Sequence, residues 1–237
     1  MYSRDLIVFM SGYIITIDGP AASGKSTVAR LLAQKLGAGF LDTGAMYRTV
    51  TLAAMRDEID LSNENDLLNV MDRHKFIFDI QNGHMIAQID GYDVTKLIRE
   101  QDVTSNARYI AAASKVRERL VEIQRQFAAQ HEAIVTEGRD QGTVAFPEAN
   151  VKFFLTAQPA ERARRRLIEL QEKGNIENLK QLQQAIEKRD KSDIEREVGP
   201  LKPAQDAIKI DTTDLDIEQV VDKLFSYAEK IIKRTNK

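Results

Sequence analysis

Two hydrophobic periods alternate along this chain. Short apolar runs at 13–17, 39–41, 134–136, 151–155 and 207–210 have the length and composition of buried strands. Between them, apolar residues recur at helical spacing. Val28, Leu31, Leu32 and Leu36 mark one helix, and Gly37 follows as a stop. A second helix is expected over 45–55. Val116, Leu120, Ile123 and Phe127 mark a long one, and Ala163, Leu167 and Leu170 another; a further helix is expected over 179–189. Ile217, Val220, Val221, Leu224, Ala228 and Ile231 form a closing amphipathic helix. Strands alternating with helices predict an α/β chain built on a parallel sheet.

The pattern changes after Asp57. Asp60, Asn63, Glu64, Asn65 and Asp66 make a polar stretch, and two alternating runs, 76–80 and 85–89, then flank Asn82-Gly83, a hairpin signal. An antiparallel hairpin inside an alternating chain predicts an inserted lobe, over about 57–110, able to move relative to the body.

Bulk properties narrow the classes. A chain of 237 residues, 43% hydrophobic, supports one full core with a small lobe. Lys+Arg 34 against Asp+Glu 36 gives net charge −2, which lacks the footprint of a general nucleic-acid binder. The absence of cysteine excludes disulfides and thiolate metal sites and suits a reducing cytoplasm, the expected location. The apolar run 6–10 is too short for a membrane span, so no membrane partner is expected. Residues 1–12 read as an extension ahead of a domain over 13–237.

The chemistry concentrates after the first strand, in Gly19-Pro20-Ala21-Ala22-Ser23-Gly24-Lys25-Ser26-Thr27. This is a phosphate-binding loop, G-x-x-x-x-G-K-S, in the strand–loop–helix context that the motif requires. The glycines allow the backbone to curl, and the curled N–H groups point at a polyphosphate. Lys25 reaches the β- and γ-phosphates, the Ser26 hydroxyl ligates Mg²⁺, and Thr27 begins a helix whose positive end favours the same charge. The motif predicts a three-layer P-loop fold that binds a polyphosphate.

Other candidates lie at strand ends. Arg48, on the first turns of the second helix, suits a second anion or a plain solvated position. The loop Glu137-Gly138-Arg139-Asp140-Gln141-Gly142-Thr143 follows the 134–136 strand, on the carboxyl edge where open sheets bind ligands. The arginines of 162–166 suit a mobile catalytic lid over about 160–190, a local nucleic-acid patch or a solvated face. Arg189 and Asp193 share one helix face and could be a mere surface pair.

Four blocks in order resemble the bacterial-type cytidylate kinases, within the nucleoside-monophosphate kinase group. They are the phosphate loop, the Leu-Asp-Thr-Gly-Ala-Met-Tyr-Arg of 41–48, the 137–143 loop, and Arg189-Asp190-Lys191-Ser192-Asp193 through Arg196 to Ala207. The resemblance implies an inserted monophosphate-binding lobe with a small antiparallel sheet, a helical lid, and ATP-dependent, Mg²⁺-dependent phosphorylation of CMP or dCMP. It implies that Arg48, Arg139 and Arg196 hold the CMP phosphate, that Thr43, Arg117 and Asp140 read cytosine, and that Arg189 and Asp193 hold the sugar. It implies further that Lys25, Arg164, Arg166 and Asp140 form the catalytic set, that 211–213 borders the adenine, and that the chain is a monomer. The chain departs from the family at Arg108, where a small hydroxyl residue is common near the sugar, at Gln141 and at Ile194.

Rival readings are a kinase for AMP, UMP, shikimate or dephospho-CoA, and a GTPase-like switch. The switch needs the strings N-K-x-D and D-x-x-G, and the chain has neither.

Overall fold

The computed structural model of the chain describes residues 12–172, 174 and 177–235. The extension expected over 1–12 lies outside them except for Gly12. Five strands form a parallel sheet: β1 (Tyr13–Asp18), β2 (Gly39–Asp42), β6 (Ala133–Gly138), β7 (Val151–Thr156) and β8 (Ile208–Asp211), in the order β2-β6-β1-β7-β8. The register sets Asp18 opposite Gly138 and Asp42 opposite Glu137, so three acidic strand ends meet on the carboxyl edge.

Side chains alternate across this sheet with the period of two that strands impose. Phe40, Val135, Ile15 and Ile17 face a core closed by α1 (Lys25–Leu36) and α8 (Ile217–Thr235). Leu41 and Ile134 face a second core with α2 (Thr43–Arg56) and α5 (Ser114–Ala129). These are the three layers expected, with the sheet in the middle.

The hairpin is β3 (Phe76–Gln81) with β4 (His84–Ile89), antiparallel, and Gln81 pairs with His84 across a two-residue turn. Asn82 and Gly83 take φ of 53° and 74°, as a hairpin turn of the favoured hand requires. A second tight turn, Asp90-Gly91, leads to β5 (Tyr92–Asp93), which the sequence reading lacked.

Two helices also went unread. The polar stretch becomes α3 (Glu64–Arg73): the Asn63 side chain accepts from the Asn65 N–H as its cap, and Leu67, Val70 and Met71 bury one face. In α4 (Gln101–Ala112), only Val103 and Ile110 are buried, too sparse a stripe to read. Helix α2 starts at Thr43, two residues before the expected start, because the Asp42 carboxylate accepts from the Ala45 N–H at 2.8 Å and caps it directly.

Helices α6 (Pro159–Glu172) and α7 (Leu179–Glu195) pack on each other where the lid was expected. Among the described residues no helix is long and apolar enough to cross a membrane.

Candidate active site

The phosphate-binding loop joins β1 to α1, and three of its residues have positive φ. Gly19, Ala22 and Gly24 have φ of 152°, 56° and 83°. A Cβ on Gly19 would run into the Leu155 carbonyl of β7, so only glycine fits there. Lys25 folds back over the loop, its Nζ donating to the Pro20 carbonyl at 2.6 Å and to Ser23 Oγ at 3.3 Å. Ser26 is exposed beside a cavity of about 330 Å³ bounded by Asp42, His84 and Arg99.

Behind the loop lie buried acids. Asp18 accepts from the backbone N–H groups of Gln141 and Gly142, each at 2.8 Å. Burial pushes its carboxyl up to about 6; Asp140 adds to the rise, and the two N–H groups and Lys25 oppose it. Burial raises Glu137 as well, with Lys25 opposing. Burial and then the Arg139 charge push the Lys25 ammonium down to about 7, against the pull of Glu137 and Asp18.

Arginines gather in the same region, and the charges of Arg139 and Arg189 act on Lys25. Arg117 and Asp140 form a buried ion pair, and the Tyr47 ring lies 5.5 Å from the Arg117 guanidinium. Arg196 lies 3.9 Å from Asp140 and donates through Nε to the Gly199 carbonyl at 2.5 Å. Arg139 donates to Asp193 at 2.7 Å. Burial would raise the Asp193 pKa, but Arg139, with Arg189 and Arg196, holds this carboxyl below the usual range. Arg48 lies 3.6 Å from Asp42, which also pairs with Arg99 of the insert at 3.1 Å. Three buried guanidinium N–H groups, Arg48 Nε, Arg117 Nε and Arg196 Nη2, have no hydrogen-bond partner among the described residues. Buried donors are seldom left so, and three together mark a place for an anion or a polar ligand.

A family model described as cytidylate kinase matches residues 15–230. The chain belongs to the cytidylate kinase family. A protein named cytidylate kinase from Lactobacillus gasseri is 43% identical over 216 residues, 91% of this chain and 94% of that one. One named cytidylate kinase 1 from Haemophilus influenzae is 44% identical, covering 92% and 94%. One from Bacillus cereus is 44% identical, covering 93% and 97%. An uncharacterized protein from Eubacterium ventriosum shares the fold, with a TM-score of 0.50 at 14% identity over 92% of this chain and 98% of that one.

With the cytidylate kinase family in view, several expected positions are linked. Asp140 joins Arg117 and Arg196, Arg139 donates to Asp193, Arg48 lies against Asp42, and Thr43 donates to the Glu137 carbonyl at 2.7 Å. Lys25 of the phosphate loop lies near enough to Arg139 for its charge to act there. Arg189 lies near enough for Arg139 and Asp193 to act on its charge.

The arginine helix divides. Arg164 is exposed and held by Glu161, and Arg166 is paired with Glu169; neither makes a hydrogen bond or ion pair with the phosphate loop among the described residues. Arg162 turns inward instead, to Ala21 and Asp190. Arg165 donates to Thr212.

The departures from the family pattern have local accounts. Gln141 accepts from Thr136 Oγ1 at 2.9 Å and donates to Gln124 at 3.3 Å in a buried network. Arg108 is exposed and folds on Tyr109, and Ile194 is exposed. Sequence reasoning gave no role to Asp18, Tyr47, Asp190 or Gly199. Only Asp18 carried a signal, as an acid at the end of a strand on the ligand-binding edge.

Proposed function

We propose that this protein transfers the γ-phosphoryl group of ATP to CMP or dCMP, giving ADP and CDP or dCDP. The observation that carries the reading is the trio of buried guanidinium N–H groups without a hydrogen bond, on Arg48, Arg117 and Arg196, together with the buried Arg117–Asp140 pair, in a chain that carries a phosphate loop. The loop amides and Lys25 hold the donor's β- and γ-phosphates. Arg48, Arg139 and Arg196 hold the acceptor phosphate, since guanidinium forks match a phosphate dianion. Asp140 accepts from the exocyclic amine of cytosine, Arg117 donates to its acceptor edge, and Thr43 lines the same pocket. Arg189 and Asp193 hold the sugar.

Chemistry then needs little more than alignment. An oxygen of the CMP phosphate attacks the γ-phosphorus, the bond to the β–γ bridging oxygen breaks, and ADP leaves with that electron pair. Arg164 and Arg166 stabilise the spread charge after releasing Glu161 and Glu169. Magnesium fits the donor set: the exposed Ser26 hydroxyl offers one hard oxygen, which suits an ion that keeps most of its ligands as water and phosphate. When bound, it neutralises charge on the transferring phosphates. One chain supplies both halves of the site, so a monomer suffices.

A coupled ADP-release assay with CMP, dCMP, UMP and AMP tests the reading. CMP or dCMP should exceed UMP in kcat/KM by about a hundredfold or more, because uracil turns a carbonyl toward Asp140. Turnover of AMP equal to that of CMP would overturn the acceptor assignment.

A further inference from the structure

The phosphate loop is held by side chains of α6 and α7. Asp190, on α7, accepts from the Ala21 N–H through Oδ1 at 3.2 Å. Arg162, on α6, donates to the Ala21 carbonyl at 2.9 Å. The two side chains close the ring with each other, Arg162 Nη1 to Asp190 Oδ2, at 2.6 Å. Arg162 Nε also donates to the Ala157 carbonyl at 3.0 Å, which ties the ring to the segment after β7. Ala21, Arg162 and Asp190 are all buried. A single peptide position of the loop therefore has both its N–H and its C=O held by one ion pair.

The next residue shows why this matters. Ala22 has φ 56°, a left-handed conformation that an alanine does not choose by itself. Such strain persists only where the surroundings over-determine it. A buried ion pair is a weak source of net stability, because desolvation cancels most of the attraction. Its effect here is geometric. With Ala21 fixed, the following amides keep the curl that a polyphosphate needs.

We propose that Arg162 and Asp190 are positioning residues that hold the phosphate loop in its anion-binding shape, and that neither touches the substrate. The proposal rests on the reading that this loop binds ATP. It divides the basic helix by role: Arg162 braces, and Arg164 and Arg166 are left for the transferring group. The Asp190 charge also acts on Arg139, but Arg139 keeps its direct tie to Asp193, so loosening the brace should weaken donor binding far more than acceptor binding.

The test uses Arg162→Met combined with Asp190→Leu, which removes both charges at once and strands neither. Direct calorimetric titration with a non-hydrolysable ATP analogue should show affinity reduced about tenfold or more. CMP titrated alone should bind within twofold of the parent protein. Asp190→Asn keeps shape and one acceptor for Ala21, so it should fall between the two, and it decides on the same criteria if the double variant does not fold. An unchanged analogue affinity, or an equal loss for CMP, would overturn the proposal. Failure of the wild-type protein to bind the analogue would overturn this proposal and the ATP reading together. Wild-type binding of the analogue without phosphoryl transfer to CMP would overturn only the function, and the variants would still decide the brace.

Discussion

Lys25 carries a proton problem that its ligand solves. Burial, and after it the Arg139 charge, bring the ammonium down to about 7, against the pull of Glu137 and Asp18. A polyphosphate against Nζ favours the charged form and raises that value again. ATP binding near pH 7.5 should therefore take up protons. Calorimetry in two buffers of different ionisation enthalpy would show net uptake, fading toward pH 6, where Lys25 is already charged. Lys25→Arg, which does not titrate in this range, should abolish it. Asp18 has the opposite relation to pH. Its folded value, about 6, lies above the ordinary carboxylate value, so the native state holds this proton more tightly than the unfolded chain does. That contribution is fully present below about pH 4 and is lost as pH rises through about 6. Activity should move the other way, because protonation takes an acceptor from the Gln141 and Gly142 N–H groups and loosens the loop that carries Arg139 and Asp140. Between pH 4 and 6, then, the stability of the wild-type protein relative to Asp18→Asn should fall while its kcat/KM for CMP rises. Parallel urea melts and pH–rate profiles would measure both; a flat stability difference would remove Asp18 as the titrating group.

At the scale of elements, the turn after α7 decides how well the base is read. Gly199 has φ 59°, and a Cβ there would strike Asp140 Oδ2 and Arg117 Nη2. The backbone of the turn thus packs directly on the proposed cytosine reader. Gly199→Ala should raise KM for CMP about tenfold or more, with KM for ATP within twofold, in steady-state assays that vary each substrate in turn. Equal effects on both substrates would mean that the turn acts on the whole cleft. Sequence could not show this contact, because a glycine before Pro200 reads as punctuation. The same limit explains which parts of the molecule were legible. The sheet strands were, because they are short, apolar and spaced by helices. So was the Asn82-Gly83 turn, by its chemistry, and Asp90-Gly91 carried the same signal unread. Helices α3 and α4 were not, because each buries only two or three side chains and polar residues cover the rest. The blocks at 19–27, 41–48 and 137–143 were legible because their chemistry is consecutive in the chain. Arg162 and Asp190 look like ordinary helix residues until the fold brings Ala21 between them.

The whole molecule limits how the insert can move. The sequence suggested a lobe that shifts against the body, but its apolar side chains join the body's core. Met85, Ala87 and Ile89 of β4, Ile98, and Val103 and Ile110 of α4 lie in one cluster with Leu41 and Ile134 of the sheet and with Met46 and Val50 of α2. Cores packed at crystal-like density do not slide freely. Arg99 adds a polar tie across the same boundary, to the carboxylate that caps α2. Closure over substrates is therefore expected from the exposed outer parts of the insert and from the far end of the α6–α7 pair, with the insert's base fixed. Ile98→Ala tests this, because Ile98 is fully buried within the insert. It should lower stability by about 2–4 kcal/mol, as cavity-forming truncations do. If the insert and body share one core, urea melts followed by helix circular dichroism and by tyrosine fluorescence should coincide and shift together. A variant that melts in two separated steps, with only the first one moved, would make the insert an independent unit and return large rigid-body motion to the mechanism.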